Sequence, residues 1–539
     1  MAMRWVLVVL LVLALSLSTV SAAEFEYTIR GGSMDSFDPY YALYSDGKML
    51  VSGIYSKGLK NYIALIEITP DGETLSGTML SLSFNDGTGI GVSPLGTNQI
   101  LLRASDGYYL ISEAHSKKTK SFNSILILRL DNDLNVRWGE MISAYVNRTY
   151  GGTTRLVRTH IYPRDAVLDG KYLYILAKLG KWAVVLKVFA DENNKPLYGK
   201  VLWARSVRVT LGLEPIGLMV DGDRIYVVST NAESAIGGSR IILIEMLTNG
   251  TVLNVLSYSH YRSQEGGHLL YASGIVRGAN GLYVIGTYET EVNGTSVKFP
   301  AVIKIAQNGS PIWSVVVNEP GLVTNRFAVS GDSLYLGEIG SWVAGAEKLK
   351  DSVVVLRLSG NGSVDWAKAY KPSTLRTLKL VRNIWAEGDT VVGTLGLSGS
   401  RSVILFTVAE KDPCWRNVKL GTRELRLKFH PVDSKYFEVS TVKFQVLEEV
   451  RAENTALELK SSKLCTGHVG TTSTLPTTTS GTTTSTATSK TASSSPSPSP
   501  TSTTYPETGT SSSPAKGGIC GPGLVVVLVL LPVLRRWHA

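Results

Sequence analysis

Asn280-Gly281-Leu282-Tyr283-Val284-Ile285, followed downstream by Val302-Ile303-Lys304-Ile305, Asn308-Gly309 and Trp313, is the stretch that decides the fold. The first segment is a tight turn and an apolar strand. The second is an apolar strand, a tight turn and a strand carrying a tryptophan. Asn-Gly and Asp-Gly supply the positive φ angles that two-residue hairpin turns require. Together the two halves predict about four short antiparallel strands, with no helical periodicity between them.

Both halves recur along the chain. The turn and strand return as Asp46-Gly47 before Met49, Asp169-Gly170 before Tyr172, Asp221-Gly222 before Ile225, Gly331-Asp332 before Leu334 and Glu387-Gly388 before Val391. A less regular copy is Gly96-Thr97-Asn98 before Ile100. The second half returns as 63–68 with Asp71-Gly72, 125–130 with Trp138, 184–188 with Trp203, and 353–358 with Asn361-Gly362 and Trp366. Residues 241–244 with Asn249-Gly250 lack the tryptophan. Short strands at even spacing predict an all-β chain, a β-propeller of seven four-stranded blades. The β-prone segment 25–29 is expected to close the ring as the outer strand of the last blade, beside 403–408. The alternative is a pair of β-sandwiches. The repeats resemble the blades of pyrroloquinoline-quinone-type and related bacterial and archaeal propellers. That resemblance implies a fold and no activity.

Working outward, five segments follow. Residues 1–23 read as a secretory signal peptide, with Arg4, an apolar core and Ser21-Ala22-Ala23. Residues 24–413 hold the repeats. Residues 414–465 read as a small β-rich C-terminal appendage, in which 446–459 has room for a short helix. Residues 466–516 are dominated by Ser, Thr and Pro. They read as a disordered, Ser/Thr-rich stalk suited to O-glycosylation. Residues 517–539 carry Cys520-Gly521-Pro522, a short apolar run and Arg535-Arg536. A single span needs about 20 apolar residues, and this run is shorter. These residues resemble the CGP-CTERM sorting tail of surface proteins from Thermococcus-type archaea. The resemblance implies processing near Cys520 and lipidation of its thiol. A short uncleaved anchor is the other reading. Both place the protein at the extracellular face of the cell membrane, as an anchored glycoprotein.

Charged residues make up 18% of the chain and the net charge is +10. The positive charge is scattered, with a small cluster at Lys117, Lys118 and Lys120. Without a basic stripe, nucleic acid is excluded as a partner. If Cys520 carries lipid, Cys414 and Cys465 are left as the disulfide pair, in an oxidising compartment. Glycosylation sequons stand at Asn147, Asn249, Asn293 and Asn361.

Function is expected on one face. Two kinds of connection, within 112–124, 230–239, 287–299 and 341–350 and within 144–164 and 258–269, are longer than the rest. In a propeller they emerge on the same side. Candidate binding residues there are Tyr145, Tyr150, Arg155, Arg158, His160, His260, Tyr261, Arg262 and His268, because Tyr and Arg suit protein interfaces and sugar faces. No catalytic or metal motif was found, and no cofactor is indicated. Ser359-Gly360-Asn361-Gly362 departs from the Asp-box of sialidases, with Asn361 in place of the acid and Trp366 one place too late. The leading reading is a surface propeller binding a protein or glycan. The alternatives are an extracellular hydrolase or quinone-type oxidoreductase with a channel site, or a structural component of the cell envelope.

Overall fold

The computed structural model describes residues 23–466, except 30–34, 70–73, 93–98, 118–121, 211, 234–237, 264–266, 293, 341–348, 350, 372–377, 398–401, 413 and 458. The signal peptide, the stalk, Cys520 and Asn293 lie outside the described residues. No helix among the described residues is long and apolar enough to cross a membrane.

The described chain is all-β and organised in consecutive antiparallel units of four strands. Unit one comprises Ser36–Ser45, Lys48–Lys57, Lys60–Ile68 and Thr74–Phe84. Unit two comprises Gln99–Ala104, Gly107–Ser116, Ser124–Leu130 and Val136–Tyr150. Unit three runs from Tyr162–Asp169 to Val201–Val209, unit four from Glu214–Asp221 to Val252–His260, and unit five from His268–Gly278 to Pro311–Val317. Unit six runs from Leu322–Ser330 to Val364–Tyr370. Unit seven takes Leu378–Glu387, Thr390–Leu397 and Ser402–Val408. Its fourth strand is the N-terminal Ala23–Ile29, with Phe25 opposite Leu405 and Tyr27 opposite Val403. The first strand of each unit packs on the first strand of the next, and that of unit seven packs on that of unit one. The result is a closed, β-propeller-like ring.

The turns follow the residues that make them. Asp46 and Gly47 both adopt positive φ, 55° and 73°, as a two-residue hairpin of mirror-image type requires. The Asn-Gly turns carry their own cap: Asn249, Asn308 and Asn361 each accept the backbone N–H two residues on, at 2.9, 3.0 and 3.0 Å. Tyrosines at one position of the second strand, Tyr174, Tyr226, Tyr283 and Tyr335, are fully buried. Three of them pack on a tryptophan of the same unit: Tyr174 on Trp203, Tyr283 on Trp313 and Tyr335 on Trp366. Ring nitrogens then reach across to the following unit. Trp203 Nε1 donates to Thr248 O at 3.2 Å, and Trp313 Nε1 to Gly360 O at 3.0 Å. The aromatic body fills the inter-unit core while its polar tip satisfies a turn carbonyl.

Residues 414–465 do not form an appendage. They run as a belt around the outside of the ring, against the order of the units. Arg416–Asn417 pairs with the outer strand of unit six, Thr422–Glu424 with unit five, Leu427–Pro431 with unit four and Phe437–Thr441 with unit three. Lys443–Ala456 pairs first with unit two and then with unit one, joining them in one sheet. Leu459–Thr466 ends beside Ala23–Ile29 in unit seven. Where a short helix had room within 446–459, residues up to Ala456 are strand. The cause is the exposed edge that each unit would otherwise present: unpaired N–H and C=O groups that the belt covers.

The long connections are also more ordered than a loop reading implies. Residues 144–164 largely form a hairpin, in which Val136–Tyr150 continues past the sheet and folds back as Thr153–Thr159. In unit five, Gly281–Val292 and Thr295–Ile305 stay paired to Val292 opposite Thr295. Pairing satisfies backbone groups that a loop would leave to water.

Candidate functional site

The nine candidate residues fall into two groups, both at the ends of the strands away from the two-residue turns joining first to second strands. The first group belongs to units two and three. Arg158, on Thr153–Thr159, stands opposite Tyr145 on Val136–Tyr150. Its Nη2 donates to Ser124 Oγ at 2.9 Å, and its guanidinium lies 5.9 Å from the Phe122 ring centroid. Its Nε is buried without a hydrogen-bond partner, and burial lowers its pKa. His160 Nδ1 accepts the Asn123 N–H at 3.2 Å, and its ring stacks on Tyr162 at 6.0 Å. Beneath lie Glu113, which accepts from Asn123 Nδ2, and Glu214, which pairs with Arg164 at 2.6 Å and with Lys178. Burial pushes Glu113 up to about 7, against the lowering effects of Arg164 and Asn123. Tyr150 and Arg155 stand apart, on the projecting part of the hairpin.

The second group belongs to units four and five. His260 and His268 stack with centroids 4.5 Å apart, and Tyr261 and Tyr288 lie 4.7 and 5.0 Å from His260. His268 Nδ1 is 2.7 Å from Tyr288 Oη and 3.1 Å from Thr290 Oγ1. Arg262 covers Tyr261 at 5.3 Å, and its N–H donates to His260 Nδ1 at 3.3 Å. The belt completes this group: Arg426 O accepts from Tyr261 N at 3.1 Å, and Arg423 lies 5.1 Å over Phe299. Burial, helped by His268, Arg262 and Arg423, lowers His260 to about 4. His260 is therefore neutral at pH 7, in a basic, aromatic surround suited to holding an anion or a sugar ring.

Sequence reasoning missed Tyr288, Phe299, Arg423 and Arg426, because the first two come from the paired strands of a segment read as a loop and the other two from the belt. It allowed for a site at the central channel but placed no residue there. There the first strands are bulged at matching places, with register shifts between Pro39/Tyr41, Pro163/Asp165, Pro215/Gly217, Ala272/Gly274 and Thr324/Arg326. Bulges re-aim side chains. Here they bring Tyr41, Asp165, Arg326 and Asn383 to a cavity of about 380 Å³. Gly274 lacks a side chain for a reason: a Cβ there would run into the Phe327 ring. Asp165 spends both oxygens on backbone, accepting Leu218 N at 2.7 Å and Ala166 N at 2.9 Å. Burial still raises it to about 6 and Tyr41 to about 12. Asp165 thus ties unit three to unit four and offers no free acid. Among the described residues no group of three or more His, Cys, Asp or Glu side chains could hold a metal ion.

Cys414 is disulfide-bonded. The sequons Asn249 and Asn361 sit in the Asn-Gly turns already described, and Asn147 lies exposed on the hairpin.

No family model matches the chain, and no curated protein matches it. Among solved structures it is similar to the extracellular domains 1–2 of Drosophila Semaphorin 1b, at 10% identity over 71% of this chain and 86% of that one, with a TM-score of 0.35. Drosophila Semaphorin 2a is similar at 11% identity over 56% and 62%, with a TM-score of 0.30. An exo-beta-1,3-galactanase from Clostridium thermocellum is similar at 9% identity over 68% and 95%, with a TM-score of 0.25. The β-propeller-like assignment rests on the strand pairing of the chain itself.

Proposed function

We propose that this protein is an exported, membrane-anchored surface propeller of seven blades, and that it binds an extracellular protein or glycan through the face bearing the two groups. The observation that carries the reading is the direction of the last described strand. Ala23 pairs with Thr466, at the end of unit seven where Glu387 and Thr390 flank a two-residue turn. The last described strand therefore ends, at Thr466, on the side opposite to the His, Tyr and Arg groups. A tether attached there presents those groups away from the membrane. The tail around Cys520 is the anchor in this reading, and the Ser/Thr-rich segment is the spacer.

Two measurements test this. Cys520→Ser should move the protein from the membrane fraction to the soluble one and remove a lipid mass; unchanged attachment and mass would rule out anchoring through that thiol. Surface labelling with the double variant His268→Ala/Arg423→Ala should show a large loss of partner or glycan capture, at least tenfold for a central aromatic-basic cluster. Capture unchanged in that variant would remove the second group from the binding face.

A further inference from the structure

The hairpin of unit two sets two arginines directly opposite each other, an arrangement that no other strand pair among the described residues shows. Arg148 and Arg155 are paired directly across its two strands. Like charges placed opposite one another destabilise a ladder. Residues 147–156 are exposed on both faces, with Tyr150 at 56% and Leu156 at 49%. A two-stranded extension that leaves the body has little packing to offset that repulsion. No acidic residue occurs between Glu140 and Asp165. Several arginines elsewhere are matched with acids: Arg103 with Asp46, Arg224 with Glu245, Arg277 with Asp221, Arg357 with Asp389. Arg148, Arg155 and Arg158 have no carboxylate partner among the described residues, and Arg158 has a buried Nε with nothing bonded to it.

Strand alternation sorts the hairpin into two faces. Arg148, Arg155 and Tyr150 share one. Asn147, Leu156 and Arg158 share the other. A glycan on Asn147 would leave the Arg148–Arg155 face open.

We propose that this hairpin is a docking arm for an anionic polysaccharide, with Arg148 and Arg155 binding its carboxylate or sulfate groups and Tyr150 covering a sugar face. This rests on the reading above that the long-connection side is the binding side, and names the partner's chemistry. Charge complementarity selects an anion, which would relieve the repulsion between the two arginines. The face selects a polysaccharide over a protein: its apolar pair, Val146 opposite Val157, is half-buried at the base, and the exposed part beyond the arginines is Tyr150, Thr153 and glycine, with no apolar centre of the kind a protein interface needs. A membrane surface fits this reading less well, because the last described strand ends, at Thr466, at the opposite ends of the strands.

The test is binding of the full-length protein to immobilised polygalacturonate and heparin, with neutral dextran and poly-glutamate as controls, across a salt series. The double variant Arg148→Thr/Arg155→Thr is compared with wild type, and its thermal midpoint is measured alongside. The expected result is at least a tenfold loss of polysaccharide affinity and a shallower salt dependence, with a midpoint equal to or above that of wild type. Affinity unchanged in the variant, or no binding of either anionic polysaccharide by wild type, overturns the proposal. Poly-glutamate bound as tightly as the polysaccharides would overturn it in favour of an acidic protein. If capture at the His260 and His268 group persists while the hairpin binds nothing, the docking arm alone fails. If both are lost or absent, the binding face itself was misassigned.

Discussion

The side-chain amide of Asn383 donates a 2.8 Å hydrogen bond to the carbonyl of Ala42, tying the first strand of unit seven to the first strand of unit one. The bond sits where the ring closes. Its Oδ1 accepts the N–H of Ile384 at 3.2 Å, so the amide is used on both sides.

Asn383→Ala should therefore cost more than its size suggests. It leaves a buried carbonyl without a donor, at about 1–3 kcal/mol. Denaturant unfolding reads this as a lower midpoint with an unchanged slope. A loss below about 0.5 kcal/mol would show that closure does not depend on this bond.

Glu338 sets a pH dependence. It is fully buried, accepts from Thr324 Oγ1 at 3.1 Å, and has an Oε2 without a partner. Burial raises it from 4.5 to about 8. Between those values the folded protein holds a proton that the unfolded chain has released. Its contribution is complete below the unfolded value and is lost as the pH rises through about 8. Glu338→Gln should raise the melting temperature at about pH 9 and leave it unchanged at about pH 4. His260 works in the opposite sense. Held near 4, it stabilises the fold above its ordinary value of 6.5, and that is lost as the pH falls through 4. A Glu338→Gln variant with a wild-type pH profile would show that the carboxyl is not protonated in the fold.

Cys414 is disulfide-bonded, and we take Cys465 as its partner. A bond between them would close the belt into a loop of about 50 residues and stabilise it by some 4 kcal/mol on the chain-entropy account. Mapping of unreduced peptides should recover Cys414 joined to Cys465. A protease nick within 416–456 should leave the belt attached until reductant is added. Cys414→Ser should melt lower and release the nicked belt without reductant. Release of the belt from nicked wild type before reduction would place the bond elsewhere.

The units were legible because Asp-Gly and Asn-Gly turns and apolar strands are local signals, and each reports on its own few residues. The N-terminal strand was legible because the last repeat lacked a fourth strand. The belt was not. Arg416–Asn417 and Thr422–Glu424 are too short to show an alternating pattern. What makes them strands is the edge of a unit made far earlier in the chain. The site divides the same way. His260, Tyr261 and Arg262 are adjacent in sequence and could be seen together. Arg423 reaches them only through the belt, and Tyr41, Asp165 and Arg326 reach the channel only through bulges, which leave no trace in composition.

The sheet of unit seven has a consequence for how the molecule comes into being. Its strands come from 23–29, from three segments within 378–408 and from 459–466, so the first described strand waits for the last. At synthesis rates of about 5–20 residues per second, that wait is on the order of tens of seconds. Throughout it, the growing chain has no ring to close and no belt to cover its edges. Maturation is all at once and last-minute, and a delay in delivering residues 416–466 exposes every outer edge together.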